Sequence, residues 1–186
     1  MELKTERLEL VLIDYLDLEE KKKLARSIVE EVDDDIIQNT TIVELLDKKG
    51  LDSYTYDFAL EFVTDKESDS KQIFSINCKG AFIGFIGVHN IDKFNKSAEF
   101  GYWIGKNHRK NGFMSEALER LKKYCFEDLN LHKINVDAYA FNEGSNKVIV
   151  NSGFKKVGFH RDSIFRFGKY HDINHYDMLR SEWKVN

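Results

Sequence analysis

The sequence predicts an α+β domain built on a mixed, mostly antiparallel sheet flanked by helices, and three observations carry that prediction. Short apolar runs of strand length, separated by turn residues, dominate the chain from residue 72 onward. Ahead of them lie segments whose apolar residues recur at helical spacing. Inside the strand-rich part, one helical stretch sits between two strands, which reads as a strand–helix–strand crossover within an otherwise hairpin-connected sheet. No repeat, low-complexity tract or linker divides residues 1–186, so a single domain is expected.

Taken in order, "LELVLI" (8–13) is short, partly β-branched and bounded by charge, as a strand should be. "DYLDLEEKKKLARSIVEEV" follows with Leu16, Leu24, Ile28 and Val32 near one face and Asp14 or Asp17 placed to cap a helix. "TIVELLDKKG" reads as a shorter helix closed by Gly50, residues 52–66 lean towards helix, and "KESDSK" is a polar loop. "QIFSINCKGAFIGFIGVHNID" holds two apolar runs joined at Gly80, a hairpin. "SAEFGYWI" (97–104) is the next strand, and residues 113–127 form a helix with Met114, Ala117, Leu118, Leu121 and Cys125 on one stripe. "KINVDAYA" is a strand, and "GSNKVIVNSG" a short helix ended by Gly153. "FKKVGFHRD", "SIFRFGKYHD" and "NHYDMLRSEW" read as closing strands, with a turn near Gly168.

Composition narrows the function. A net charge of −4 argues against coating nucleic acid, which calls for a basic excess. No apolar run reaches membrane-spanning length, and the charged start lacks the apolar core of a secretory signal. Cys78 and Cys125 stand apart in apolar settings and read as free, buried thiols of a reducing cytosol. Proline is absent altogether, so no loop has its φ fixed by that residue.

The stretch with the most chemistry is "GKNHRKNGFM", residues 105–114, where a strand ends and a helix begins. Unpaired main-chain N–H groups at the positive end of a helix suit a phosphate or pyrophosphate. Gly112 withholds a side chain there, and His108, Arg109 and Lys110 offer charge. The bland reading is a solvated basic helix start, although the helix dipole slightly disfavours cations at that end. The Gly-Lys-Ser/Thr of an ATP loop and the glycine spacing of a dinucleotide fold are both missing.

These residues carry a resemblance. "AEFGYWIGKNHRKNGFMSEAL", "LHKINVDAYAFNEGSNKVIVNSGFKKVGF" and "YHDINHYDMLRSEW" resemble the GNAT acetyltransferase superfamily, most of all its Rim-type branch, which includes ribosomal-protein N-terminal acetyltransferases. The likeness covers essentially the whole chain and is strongest over 80–183, with "TERLEL" fitting near the start. It implies a GNAT-like fold and acetyl-CoA as co-substrate, with no metal. The pyrophosphate would be wrapped by "RKNGFM", that is Arg109, Lys110, Asn111, Gly112, Phe113 and Met114. Lys110 stands where the family usually has Gly, and Met114 where it has Gly or Ala; main-chain recognition tolerates both. Asn142 of "NEGSNKVIVNSGF" would bond the pantetheine arm and Ser145 would lie near the sulfur. By residue type alone, an Asn ending a strand and a Ser capping a helix explain the same pair. Gly153 and Phe154 read as a helix terminator and a core aromatic.

The resemblance also implies that strand 98–104 splays from its neighbour and that the N–H groups of Trp103, Ile104 and Gly105 face the thioester. Alternation puts Glu99, Gly101 and Trp103 on one face and Phe100, Tyr102 and Ile104 on the other. Glu99, in an apolar strand, should have a raised pKa and act as base, by way of a water; a strand-end Glu held by a surface cation is the plain alternative. Many superfamily members place a Tyr four residues before the Gly of Gly-Phe as acid for the thiolate. Here that position is Ile149, which leaves Ser145 as a weak donor and makes Glu99 and Ser145 the catalytic candidates. Neither cysteine has a neighbouring His, so direct attack in a ternary complex is expected.

Other polar residues read more quietly. His171 and His175 lie off a helix with no Cys pair to complete a metal site, and His89 reads as a satisfied surface residue before an acceptor contact. Asp172 is expected to stabilise a turn. The acidic run "EEVDDD" (30–35) is either a lure for a cationic acceptor or a solvated helix end. The expected partner is an amine, a protein N-terminus or a small amine, with no nucleic acid or membrane, in a monomer or homodimer. A non-catalytic acyl-CoA-binding or sensing module is the alternative, and a nucleotide-binding regulator a weaker third.

Overall fold

The computed structural model describes residues 1–39, 55–64 and 70–183. The helix expected at 41–50 and most of the loop at 66–71 lie outside the described residues. Eight strands form one sheet: β1 (Glu2–Lys4), β2 (Leu8–Leu12), β3 (Gln72–Cys78), β4 (Ala81–Asp92), β5 (Ser97–Ile104), β6 (Lys133–Tyr139), β7 (Lys155–Arg166) and β8 (Lys169–Leu179). Their spatial order is β1-β2-β3-β4-β5-β6-β8-β7. Every neighbouring pair is antiparallel except β5 and β6.

The described helices are α1 (Leu18–Glu31), α2 (Asp34–Asn39), α3 (Tyr56–Thr64), α4 (Phe113–Lys123) and α5 (Glu143–Asn151). α1 starts on a complete capping box: Asp17 accepts from the Glu20 N–H while Glu20 accepts from the Asp17 N–H. Its Leu24, Ala25 and Ile28 pack with Ile36 of α2 and Ala59 and Val63 of α3 over Ile73, Phe82, Phe85 and Trp103, one face of the sheet. α4 covers the other face with Met114, Ala117, Leu118 and Leu121, joined by Ile149 of α5. The stripe forecast for 113–127 is real, but the helix widens into a π turn over Tyr124–Asp128.

The β3–β4 hairpin turns on Lys79 and Gly80, both at positive φ (51° and 78°), the pair a two-residue type I′ turn requires. β1 was not expected from the sequence; three residues on a sheet edge carry almost no periodic signal. The three closing stretches prove to be two strands. β7 runs through the first and into the second, with its register broken between His160 and Ile164. Asp172 stabilises that irregularity rather than the hairpin turn, because its Oδ1 accepts from the Asp162 N–H at 2.8 Å.

The feature that positions the site is in β5. Ser97 to Phe100 pair with Lys133 to Val136 of β6, and there the pairing stops. Against β4, pairing continues to Ile104. The sheet is therefore split along the outer half of β5, beside the start of α5.

Candidate active site

A cleft of about 680 Å³ opens at this split. Its floor is β4 and β5, through Phe85, Gly87, His89, Glu99, Gly101 and Trp103, and its far wall is Asp137 to Tyr139 of β6 with Asn142 and Ser145 of α5. Alternation holds as the sequence implies: Ala98 and Phe100 enter the core under α4, Trp103 the core under α1 to α3. Glu99 sits opposite His89 in register, and its Oε2 accepts from Asn90 Nδ2 at 3.1 Å. Burial raises its pKa, partly opposed by the Asn90 hydrogen bond.

His89 lies nearer the centre of the cleft than the sequence reading allowed. Gly87 and Gly101 face each other across the strands, and the imidazole occupies the space their missing side chains leave. A Cβ on either would stand 3.0 Å from His89 Nε2. Burial, with help from the nearby Lys71 cation, lowers its pKa to about 4, so the ring is neutral at physiological pH. Sequence alternation along β4 does give Gly87 and His89 a common face; the glycine opposite requires the strand register, which the sequence does not contain.

The three amides named for the thioester separate. The Gly105 N–H donates to the Ile83 carbonyl at 2.9 Å, and the Trp103 carbonyl crowds Gly84, so residues 103 and 105 turn their main chain towards β4. Ile104 turns the other way, into the split. The Trp103 side chain is core, packed edge-on against Phe82 and Phe85. Its Nε1 is buried with no acceptor among the described residues.

The loop between β5 and α4 departs from the expectation at its cations. The Arg109 guanidinium is held by the Ile104 carbonyl (3.1 Å), by Asp35, and by Asp33 at 3.9 Å. His108 meets Glu31 at 3.3 Å, and Glu31 also fills the space above Gly105. The acidic run is divided: Glu30 and Asp34 are exposed, as at a solvated helix end, while Asp33 caps α2 and Glu31, Asp33 and Asp35 hold His108 and Arg109 of the loop. What the loop leaves open is its main chain: the N–H groups of Lys110, Asn111 and Gly112 have no acceptor among the described residues. The first turn of α4 is likewise uncapped, because Gly112 has no side chain to cap it. The Asn111 side chain folds back onto the His108 and Arg109 carbonyls, and Met114 is buried in the core.

A clamp from the N-terminal end of the sheet fixes this joint. Arg7 donates to the Asn111 carbonyl (3.0 Å) and to Glu116 (2.7 Å), and its guanidinium lies 4.7 Å from the Phe113 ring centroid. Burial alone would raise the Glu116 pKa, but bonds from Thr5 and Arg7 hold it below the usual carboxylate value. "TERLEL" matters for this reason: it ties β2 to the start of α4.

On the far wall, Asn142 caps α5, its Oδ1 accepting from the Ser145 N–H at 3.0 Å, so the cap is Asn142 and Ser145 lies in the first turn. Asn146, which the sequence did not single out, bonds the Tyr139 and Asn142 carbonyls and accepts from Asn174 and Tyr176, joining α5 to β6 and β8. Ser145 Oγ is 2.8 Å from the Tyr102 hydroxyl. His175 is paired with Asp137 at 2.7 Å. No cluster of metal-ligand side chains exists among the described residues. Both cysteines are free, but only Cys125 is buried, which raises its pKa; Cys78, at the end of β3, is half-buried.

The Acetyltransferase (GNAT) domain profile matches residues 29–155, more than half of the chain. The chain belongs to the GNAT acetyltransferase family. Over 105 residues it is 37% identical to the Bacillus subtilis protein YdaF, whose name assigns it provisionally to ribosomal N-acetylation; the match covers 56% of this chain and 57% of that one. It is 30% identical over 108 residues to the ribosomal-protein-serine acetyltransferase of Escherichia coli K12, covering 58% and 60%. The chain thus spans somewhat over half the length of these relatives. Its fold is that of RimL, the ribosomal L7/L12 alpha-N-protein acetyltransferase solved with coenzyme A, at a TM-score of 0.76, 19% identity and coverage of 96% and 98%. No described helix is long and apolar enough to cross a membrane.

Proposed function

We propose that this GNAT chain is an acetyl-CoA-dependent N-acetyltransferase that acts on a primary amine, a protein N-terminus or a small amine, by direct attack in a ternary complex. The observation that carries the reading is the split between β5 and β6. It puts a half-buried carboxylate and an unpaired strand edge in one cleft, and the same strand runs on into the loop that opens the uncapped start of α4.

The residues present fit the co-substrate. The open amides at 110–112 and the uncapped start of α4 suit a pyrophosphate, and Lys110 adds charge. Asn142 Nδ2 and the exposed edge of β5 suit the amide groups of a pantetheine arm. Glu99, its pKa raised by burial, takes the proton from the acceptor ammonium, directly or through a water. His89, neutral and in the same cleft, adds no charge to repel that ammonium and offers it a lone pair. Ile104 directs its N–H into the split, where a thioester carbonyl would be polarised. As the amine nitrogen bonds to the carbonyl carbon, the carbon–sulfur bond breaks and its electron pair goes to sulfur. A thiol has a pKa of about 8.5, so the departing thiolate is tolerable. The ribosomal-protein names among the relatives favour a protein N-terminus as acceptor.

Calorimetric titration with acetyl-CoA, with ATP as control, tests the binding, and thiol release with a panel of amines tests the transfer. Acetyl-CoA alone should bind, and Glu99→Gln should lower kcat at least about a hundredfold with acetyl-CoA affinity unchanged. Tight binding with no turnover on any amine would favour the non-catalytic acyl-CoA module, and no binding would end both readings.

A further inference from the structure

A primary ammonium carries three protons on its nitrogen. Acetylation removes two of them, and the third stays as the N–H of the product amide. We infer that His89 reads this retained hydrogen: its ring accepts a hydrogen bond from it, holds the amine turned towards the thioester, and makes the site specific for primary over secondary amines. The inference rests on the proposed function, because it takes the cleft to hold an acceptor amine.

Place, availability and weak basicity carry it. His89 and Glu99 are directly opposed on β4 and β5, so the ring stands beside the proposed base. It leans outward over Gly87 and Gly101, with Nε2 3.0 Å from where a Cβ on either glycine would lie. Gly101 is the first residue of β5 beyond its last pairing with β6, so Nε2 sits where the split begins. Neither ring nitrogen has a hydrogen-bond partner among the described residues, and neither is sealed off from the cleft. No described protein group therefore fixes the tautomer, and a neutral ring has one lone pair in either form. An ammonium has only hydrogens to offer, so it selects the form with the lone pair on Nε2 and the hydrogen on Nδ1. With a pKa lowered to about 4, the ring accepts a hydrogen bond without taking the proton, as a retained hydrogen requires.

Glu99, directly or through a water, takes the first proton. The nitrogen lone pair so freed bonds to the carbonyl carbon, and the carbon–sulfur bond breaks with its electron pair going to sulfur. The nitrogen, now cationic, gives its second proton to water in the cleft. The third stays on nitrogen throughout, bonded to Nε2, and that bond keeps the amine from turning about its carbon–nitrogen bond. A secondary ammonium has only two protons, both of which must leave, and sets a carbon in the third position. That carbon would press on Nε2 and leave the lone pair unpaired.

The test compares kcat/KM of the full chain for benzylamine, spermidine and a seryl tetrapeptide, each beside the form methylated on its primary nitrogens, with acetyl-CoA saturating. For every primary amine that turns over, the methylated form should be at least about a hundredfold poorer. His89→Leu keeps much of the bulk and removes the lone pair. It should shrink that preference at least about tenfold, chiefly by slowing the primary amine. His89→Gln brings an amide oxygen near the place of Nε2 and should keep most of the preference, while Glu99→Gln should slow both forms alike. Each ratio is taken on one sample, so it does not depend on how much of a variant is folded. Equal rates for primary and methylated acceptors in the unaltered chain, or a preference unmoved by His89→Leu, would overturn the inference and leave the transferase reading standing. No turnover of any primary amine would overturn both.

Discussion

The two halves of β5 have the same length, yet they do different work. Residues 97–100 are bonded on both edges; their inward side chains, Ala98 and Phe100, belong to the core, and Glu99 on the opposite face reaches the floor of the cleft from a strand held on both sides. Residues 101–104 are bonded on one edge only, and Gly101, Tyr102 and Trp103 line the cleft. The lesson is about where chemistry is affordable in a sheet: an edge that gives up its partner strand exposes main-chain groups that must find another partner, the role the proposed function gives to the pantetheine arm.

The comparison predicts opposite signatures for substitutions on either side of Phe100. Ile134, fully buried on β6 opposite Ala98, belongs to the paired half. Ile134→Ala should cost about 2–5 kcal/mol of stability in urea unfolding and leave the acetyl-CoA affinity of the folded fraction unchanged. Gly101→Ala belongs to the open half. Its new Cβ would lie 3.0 Å from His89 Nε2, and the ring must shift by a few tenths of an ångström. Stability should change by less than about 1 kcal/mol while turnover falls several-fold to about tenfold. If both substitutions moved stability alone, the division of β5 would have no functional meaning.

His89 sharpens the contrast through pH. Its folded pKa, about 4, lies below its ordinary value of 6.5, so the folded state prefers the neutral ring. The associated stability is complete above pH 6.5 and is lost as pH falls through 6.5 towards 4, where the unfolded chain binds the extra proton first. A shift of this size is worth at most about 3 kcal/mol, and for a partly solvated ring nearer 2. Unfolding measured at pH 7 and pH 4.5 should show His89→Gln losing about 2 kcal/mol less between the two than the unaltered chain. Equal losses would mean the ring titrates normally and is not held neutral in the cleft.

What the sequence revealed follows the range of each signal. The crossover, the β3–β4 hairpin and the stripe on α4 rest on local periodicity and turn residues, and all are present. The places of Glu99 on the cleft floor and of Gly112 at the start of α4 were legible because both sit in local patterns. The roles of Arg109 and His108 were not, since the carboxylates that hold them come from residues 31–35, more than 70 positions away. Tyr102 was hidden by its own alternation: the pattern assigns it to the core face, and only the loss of β6 pairing gives that face a way into the cleft. Asn146 and Arg7 likewise act between elements that are distant in sequence.

Lys110 brings the argument to the loop itself. It adopts φ +62°, a left-handed conformation that a residue with a Cβ reaches at a cost of about 1–2 kcal/mol, where the family usually has glycine. Glycine would relieve that cost but loses more entropy on folding, so Lys110→Gly should stabilise the chain by only about 0.5–1 kcal/mol. The same substitution removes a charge. With Arg109 and His108 held by carboxylates, Lys106 and Lys110 are the loop's two lysines without an acidic partner among the described residues, and Lys110 is the one beside the open amides. The Kd for acetyl-CoA should therefore rise a few-fold, and its dependence on salt should weaken. A higher unfolding midpoint with looser, less salt-sensitive binding would mean that Lys110 is strained in exchange for phosphate affinity. A higher midpoint with unchanged binding would mean that the open amides of 110–112 and the start of α4 hold the pyrophosphate without the charge of Lys110, in a loop that has already committed its arginine to Asp33 and Asp35.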